Sequence, residues 1–189
     1  MAIRKIVPIG HPVLRRRARE VSAAELGEPA TRRLIDDLVE TMRDAHGAGI
    51  AAPQVHESVR IAVVEVGHNP RYPYKPPIPL TVLVNPVLEP VGDETVEINE
   101  GCLSVPLRGD LRRHVTVRVS YTDRDGAPHQ EVKRGLTAGT FQHEVDHLDG
   151  ILVVDRIDPR TLSTWDQFDR HHRDAFIARI TQFVDRVGS

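Results

Sequence analysis

The pentapeptide His143-Glu144-Val145-Asp146-His147 restricts the fold more than any other stretch of this chain. On a helix, residues four apart lie on one face a single turn apart, so both imidazoles can reach one cation. The surrounding segment, 135–149, reads as that helix, with Leu136, Phe141, Val145 and Leu148 as its apolar positions. A catalytic divalent metal takes three protein ligands and keeps one position open, so such a site needs a third donor beside this helix; the alternative is a helix with two solvated histidines. The H-E-x-x-H-x-x-G-x-x-H pattern is broken, because Val153 stands where its last His belongs, and no Glu follows Glu144. His171, His172, Asp155 and Asp158 are candidates downstream. Upstream, the single cysteine, Cys102, lies in Glu-Gly-Cys-Leu-Ser (100–104). It reads either as a small buried hydrophobe or as a thiolate completing a His2Cys site. Its flanking Gly and Ser favour a special backbone over a core strand.

The rest of the chain supplies the frame. Ser22 and Glu25 fit a capping box, and Pro29 interrupts soon after it. From Thr31 a helix is predicted, with Leu34, Ile35, Leu38, Val39 and Met42 on one stripe and Gly47 as its stop. Arg60–Val66 and Thr81–Leu88 read as strands, with Pro86 at an edge or bulge. Between them, residues 67–79 hold five prolines, which block regular pairing; a tolerated insertion is the safer reading than a rim for a ligand. Val115–Thr122 and a return near Gln130–Lys133 flank an Asp125-Gly126 turn. After Pro159 one last helix is expected, carrying Trp165, Phe168, Phe176, Ile180, Phe183 and Val187. Strands bunched between helices indicate an α+β class. The 189 residues suit one domain, with 155–189 as a helical extension.

Composition excludes several functions. A formal net charge of −2 argues against broad DNA or RNA binding, and one cysteine allows no internal disulfide framework and favours a reducing compartment. No run of eighteen apolar residues is present to span a membrane. The basic stretch before Glu20 is broken by Pro8, Gly10 and Pro12, and reads as an exposed segment of the domain rather than a transit peptide. Gly47-Ala-Gly-Ile-Ala-Ala-Pro-Gln54 matches a dinucleotide fingerprint on paper, but follows a helix where that motif follows a strand. It reads as a helix stop and turn, or as bare backbone able to pair with an extended peptide, with Gln54 a neutral donor for an oxyanion.

Taken together, GAGIAAPQ (47–54), EGCLS (100–104) and QHEVDH (142–147), in this order, resemble peptide deformylase. Weaker likeness extends from HPVLR (11–15) through Asn85-Pro86 to the run at 148–157. The resemblance implies an α+β fold with antiparallel sheets packed around a central helix that bears the two histidines. It implies removal of the formyl group from formylmethionine at the start of newly synthesised polypeptides, in the cytoplasm of a bacterium or in an organelle. It implies Fe²⁺, often replaced by Zn²⁺ or Ni²⁺, held by Cys102, His143 and His147, with Glu144 as general acid/base. Gln54 and the backbone N–H of Leu103 would hold the oxyanion. Backbone near Ala48, Gly49 and Gly101 would grip the substrate, and Arg108 would touch its backbone. Behind the ligands, Asp146 would pair with Arg113. Ala48, Gly139 and Thr140 depart from the bulkier residues usual in the family, which implies a roomier or reshaped methionine pocket. The family docks on ribosomes through its C-terminal helix in some bacteria, but residues 155–189 hold six Arg and six Asp and give that docking no electrostatic support. The competing readings are an H-E-x-x-H peptidase, for which a third ligand is missing, and a structural metal protein, for which no second Cys exists.

Overall fold

A computed structural model describes residues 2–67 and 73–188. Short helix α1 (Ala23–Gly27) opens with the capping box of Ser22 and Glu25. Helix α2 (Pro29–Asp44) starts on Pro29 itself. The proline therefore does not interrupt a helix but begins the next one, since its missing N–H is unneeded in a first turn. The stripe foreseen on α2 is buried. Its stop lies one residue before Gly47. His46 takes the left-handed conformation (φ 52°) while Gly47 N–H bonds back to Met42, a Schellman closure.

Strands β1 (Gly49–Ala51), β2 (Ile61–Val66), β3 (Ile78–Pro90), β6 (Thr116–Thr122) and β7 (Pro128–Arg134) form one antiparallel sheet in the order β1-β2-β3-β6-β7. A hairpin of β4 (Thr95–Cys102) and β5 (Val105–His114), with two-residue β8 (Ser163–Thr164), forms a second antiparallel sheet. The bulge expected at Pro86 is present. Register slips between Val84 and Val87, with Asn85 at φ 50°.

Strand β2 is buried on both faces. Ile61 and Val63 pack with Leu34, Leu38 and Met42 of α2, whereas Ala62 and Val64 pack with Phe141 and Leu148 of helix α3 (Gly135–Leu148). The first sheet thus lies between α2 and α3, and α3 runs through the middle of the molecule with nearly every side chain buried. The expected last helix is two: α4 (Trp165–His171) and α5 (Arg173–Val187), broken at His172. The break brings Phe168 and Phe176 together, ring centroids 5.8 Å apart. Their cluster, with Ile180 and Phe183, covers Ile98, Val115 and Leu136. The extension therefore packs back on the sheet that carries Cys102. Exposed arginines 15, 16, 17 and 19 decorate an N-terminal segment anchored by buried Val13, Leu14 and Ala18.

Candidate active site

Helix α3 delivers His143, Glu144 and His147. The end of β4, where pairing with β5 slips between Gly101 and Cys102, delivers the sulfur. The ligand atoms of Cys102, His143 and His147 all lie within 4.8 Å of one another, the only such trio of His, Cys or acidic groups among the described residues. Cys102 Sγ stands 3.3 Å from His147 Nε2. His143 Nδ1 is engaged by Glu100 Oε2 at 3.0 Å, which leaves its Nε2 for the cluster and fixes the ring. The downstream candidates Asp155 and Asp158 are held elsewhere, by Arg15 and Arg160.

The charges around the trio form a chain. Arg113 bonds Glu100 through Nε and Nη2 (3.0 and 2.8 Å) and Asp146 through Nη1 (2.5 Å). Asp146 also receives Arg156 at 2.8 and 2.7 Å. Burial opposes ionisation of Glu100, but Arg113 and His143 outweigh it and hold the carboxyl well below its usual range. Burial likewise opposes a charge on His143, yet its bonds to Cys102 and Glu100 prevail and raise it. Burial, followed by the charge of His143, pushes His147 well below the imidazole range. Neutral His147 is the form that ligates.

Gln54 is aimed by its neighbours. Its Oε1 accepts from Ala51 N–H at 2.9 Å, so the NH2 must face the site. There Nε2 donates to Ser104 Oγ at 3.1 Å and points at Cys102 Sγ, 3.5 Å away. Ser104 N–H also points at that sulfur, at 3.4 Å. Burial pushes the Glu144 carboxyl up to about 7, and its Oε2 is buried without a hydrogen-bond partner among the described residues. An unpaired buried carboxylate oxygen costs about 1–3 kcal/mol, which marks it as awaiting a ligand. Three converging soft and borderline donors beside that oxygen are what a catalytic divalent metal requires.

Both β1 and β4 have an unpaired edge, and a pocket lies between them. Ala48 turns its carbonyl into the sheet, to Glu65 N–H. Alternation then points the N–H and C=O of Gly49 at the open edge. Leu103 occupies the turn after Cys102 and lines the same pocket, as does Gly101. A Cβ on Gly101 would stand 2.4 Å from Trp165 Cζ2. Arg108 is buried; its Nε and Nη2 donate to Asn99, and its guanidinium lies 3.7 Å over Phe168. It ties β5 to α4 from within the pocket wall. Glu100 belongs to the Glu-Gly-Cys-Leu-Ser segment, and its bond to His143 is not marked by that motif. The period of a strand would have found it, since residues 100 and 102 share a face.

The comparisons agree with this geometry. The family profile described as polypeptide deformylase matches residues 3–163. The chain belongs to the peptide deformylase family. Peptide deformylase 2 of Nostoc sp. is 43% identical over 154 residues, covering 81% of this chain and 85% of that relative. Chloroplastic peptide deformylase 1A of Solanum lycopersicum is 36% identical over 178 residues, 89% of this chain and 64% of that relative. Among solved structures, a class I type b peptide deformylase from Acinetobacter baumannii superposes with a TM-score of 0.80 at 40% identity, covering 84% of this chain and all of that one. The same enzyme bound to Met-Ala-Ser gives 0.80 at 41%, covering 82% of this chain and 99% of that one. Peptide deformylases are metal-dependent hydrolases that remove the N-formyl group from nascent polypeptides, and this chain is such an enzyme. The profile ends at 163, so α4 and α5 lie beyond the matched stretch.

Proposed function

We propose that Cys102, His143 and His147 hold one divalent ion, Fe²⁺ in the cell, and that Glu144, Gln54 and the β1 and β4 edges act around it on formylmethionyl peptides. The observation that supports this best is the convergence of three donors, one of them 41 residues before the first histidine, beside a buried carboxylate oxygen with no partner. When bound, the ion supplies a polarised formyl carbonyl and a water acidified from 15.7 towards about 7. The same donors accept Zn²⁺ or Ni²⁺.

Glu144, raised to about 7 by burial, is matched to take a proton at working pH and return it. It accepts the proton of the attacking water and passes it to the departing amine, so that the C–N bond breaks into formate and a free amino terminus. Gln54 Nε2 and Leu103 N–H donate to the oxygen on which charge develops. The open edge of β1 at Gly49, with Gly101 opposite, takes the peptide as an added strand. The Met-Ala-Ser bound to the A. baumannii relative is the kind of product this leaves. Asp146 and Arg113 hold Glu100, and through it His143.

We place the enzyme in the bacterial cytoplasm, in line with the bacterial relatives; the tomato relative is the argument for an organelle. No described helix is long and apolar enough to cross a membrane. We treat 1–189 as one catalytic unit with the nascent peptide as partner. Formate release from formyl-Met peptides under anaerobic conditions, with metal analysis of the same sample, tests the reading. It predicts one iron per chain and turnover lost in Glu144→Gln with metal retained.

A further inference from the structure

The proline-rich stretch before β3 does more than bridge two strands. Its residues Tyr74 and Lys75 line the active-site pocket and are fixed there, one contact each. The ring of Tyr74 packs edge-on against Phe176 of α5, centroids 5.2 Å apart. The ammonium of Lys75 donates to Thr140 Oγ1 at 2.8 Å. Thr140 sits one turn before His143 and Glu144 on α3, and its hydroxyl donates to Leu136 C=O at 3.1 Å, so it is oriented to accept from Lys75. Pro73 before these anchors and Pro76, Pro77 and Pro79 after them limit the backbone on either side.

Bulkier aliphatic side chains at 139 and 140 would make an apolar wall there. In this chain Gly139 lets β4 close in, since a Cβ at that position would meet Ile98 Cδ1 at 3.2 Å. Thr140 then offers a hydroxyl, and Lys75 is drawn to it. The cavity of about 70 Å³ thus has aliphatic walls, Ile98 and Leu136, and a cationic one. Glu100 and Glu144 line the same cavity. A fully anionic side chain meets the repulsion of two acidic groups there, whereas a neutral one with an electron-rich atom can accept from the ammonium without carrying a net charge past them.

We propose that Lys75, held on Thr140, determines which first residue this deformylase accepts, favouring unbranched neutral side chains that carry an acceptor atom near their end. The thioether of methionine is a weak acceptor of this kind, and methionine sulfoxide a strong one. The proposal rests on the reading that this pocket receives the side chain next to the formyl group.

The test uses tripeptides that differ only in the formylated residue: methionine, methionine sulfoxide and norleucine, which matches methionine in shape and lacks an acceptor. The wild-type enzyme is expected to favour sulfoxide over norleucine in kcat/KM. In Lys75→Met, which keeps volume without charge, that ratio falls at least about tenfold, the scale of one hydrogen bond to a charged group. Thr140→Val, which removes the anchor alone, moves it the same way by a smaller factor. Affinities for the formyl-free peptides, measured calorimetrically, follow the same order. Formate released with unchanged ratios in both variants overturns the assignment of Lys75 and leaves the deformylase site standing. No formate from any substrate with metal-loaded wild type overturns both.

Discussion

Gly49 of β1 and Glu144 of α3 lie so close that a Cβ on the glycine would stand 2.4 Å from the carboxylate Oε1 and 2.7 Å from its Cγ. Strand β1 cannot retreat, because Gly49 is held in register with the buried Val64 of β2. The carboxylate must therefore move in Gly49→Ala. Displacing a reacting group by about 1 Å costs about 10²-fold in rate, and that loss in kcat is the expected outcome. Metal content should stay near one per chain, because the three atoms nearest that carbon all belong to Glu144 and none is a donor of the trio; elemental analysis beside the rate measurement checks both.

A second expectation comes from the charge chain behind the ligands. Arg113 is buried and serves two carboxylates, Glu100 and Asp146. In Arg113→Met the buried Glu100 loses its compensating charge, so stability should fall by about 3–5 kcal/mol. Metal affinity should fall about 10–100-fold, because Glu100 orients His143. Arg156 is 42% exposed and shares Asp146 with Arg113. Its removal should cost no more than about 1 kcal/mol. Urea unfolding and metal titration of the two variants side by side separate a buried hub from a surface partner.

The contrast between those arginines shows what could be read in advance and what could not. Elements with a one-sided apolar stripe, such as α2, were legible, as was α3 with its two histidines. The β4–β5 hairpin was not foreseen, because Arg108, Arg113, Asn99 and Glu100 break its apolar alternation. Those residues are buried or nearly so only through their mutual bonds, and pattern rules read unpaired polar residues as exposed. The converging trio was legible through motif order, not spacing, since Cys102 lies 41 residues before His143. Lys75 carried no local signal. Its place depends on Tyr74 meeting Phe176 about a hundred residues later.

The pH dependence of the metal-free protein follows from Glu144. Its carboxyl, ordinarily near 4.5, is raised to about 7 by burial. Below the lower value both folded and unfolded states are protonated and nothing is lost. Between the two values the unfolded chain ionises while the folded one does not, so stability declines as pH rises. Above the upper value the penalty is complete, on the order of 3 kcal/mol. Glu144→Gln lacks this group. In chelator-treated samples its stability advantage over wild type should be near zero at pH 4 to 4.5 and reach about 3 kcal/mol above pH 7. A pH-independent difference in denaturant midpoints would remove burial as the cause.

Gln54 allows a sharper separation of geometry from charge. Its Oε1 is bound by Ala51 N–H, so the group facing Ser104 and Cys102 must be the NH2. Gln54→Ala deletes the donor, and losing one oxyanion donor costs about 10²–10³ in turnover. Gln54→Glu keeps the shape and the bond from Ala51, but puts a carboxylate oxygen where the NH2 stood. That oxygen cannot donate, and it adds negative charge where negative charge develops in the transition state. It also faces the sulfur of Cys102, which should weaken metal retention. Gln54→Glu is therefore expected to lose more turnover than Gln54→Ala at equal metal loading. If the isosteric variant were instead the more active of the two, packing rather than donation would be the task of residue 54.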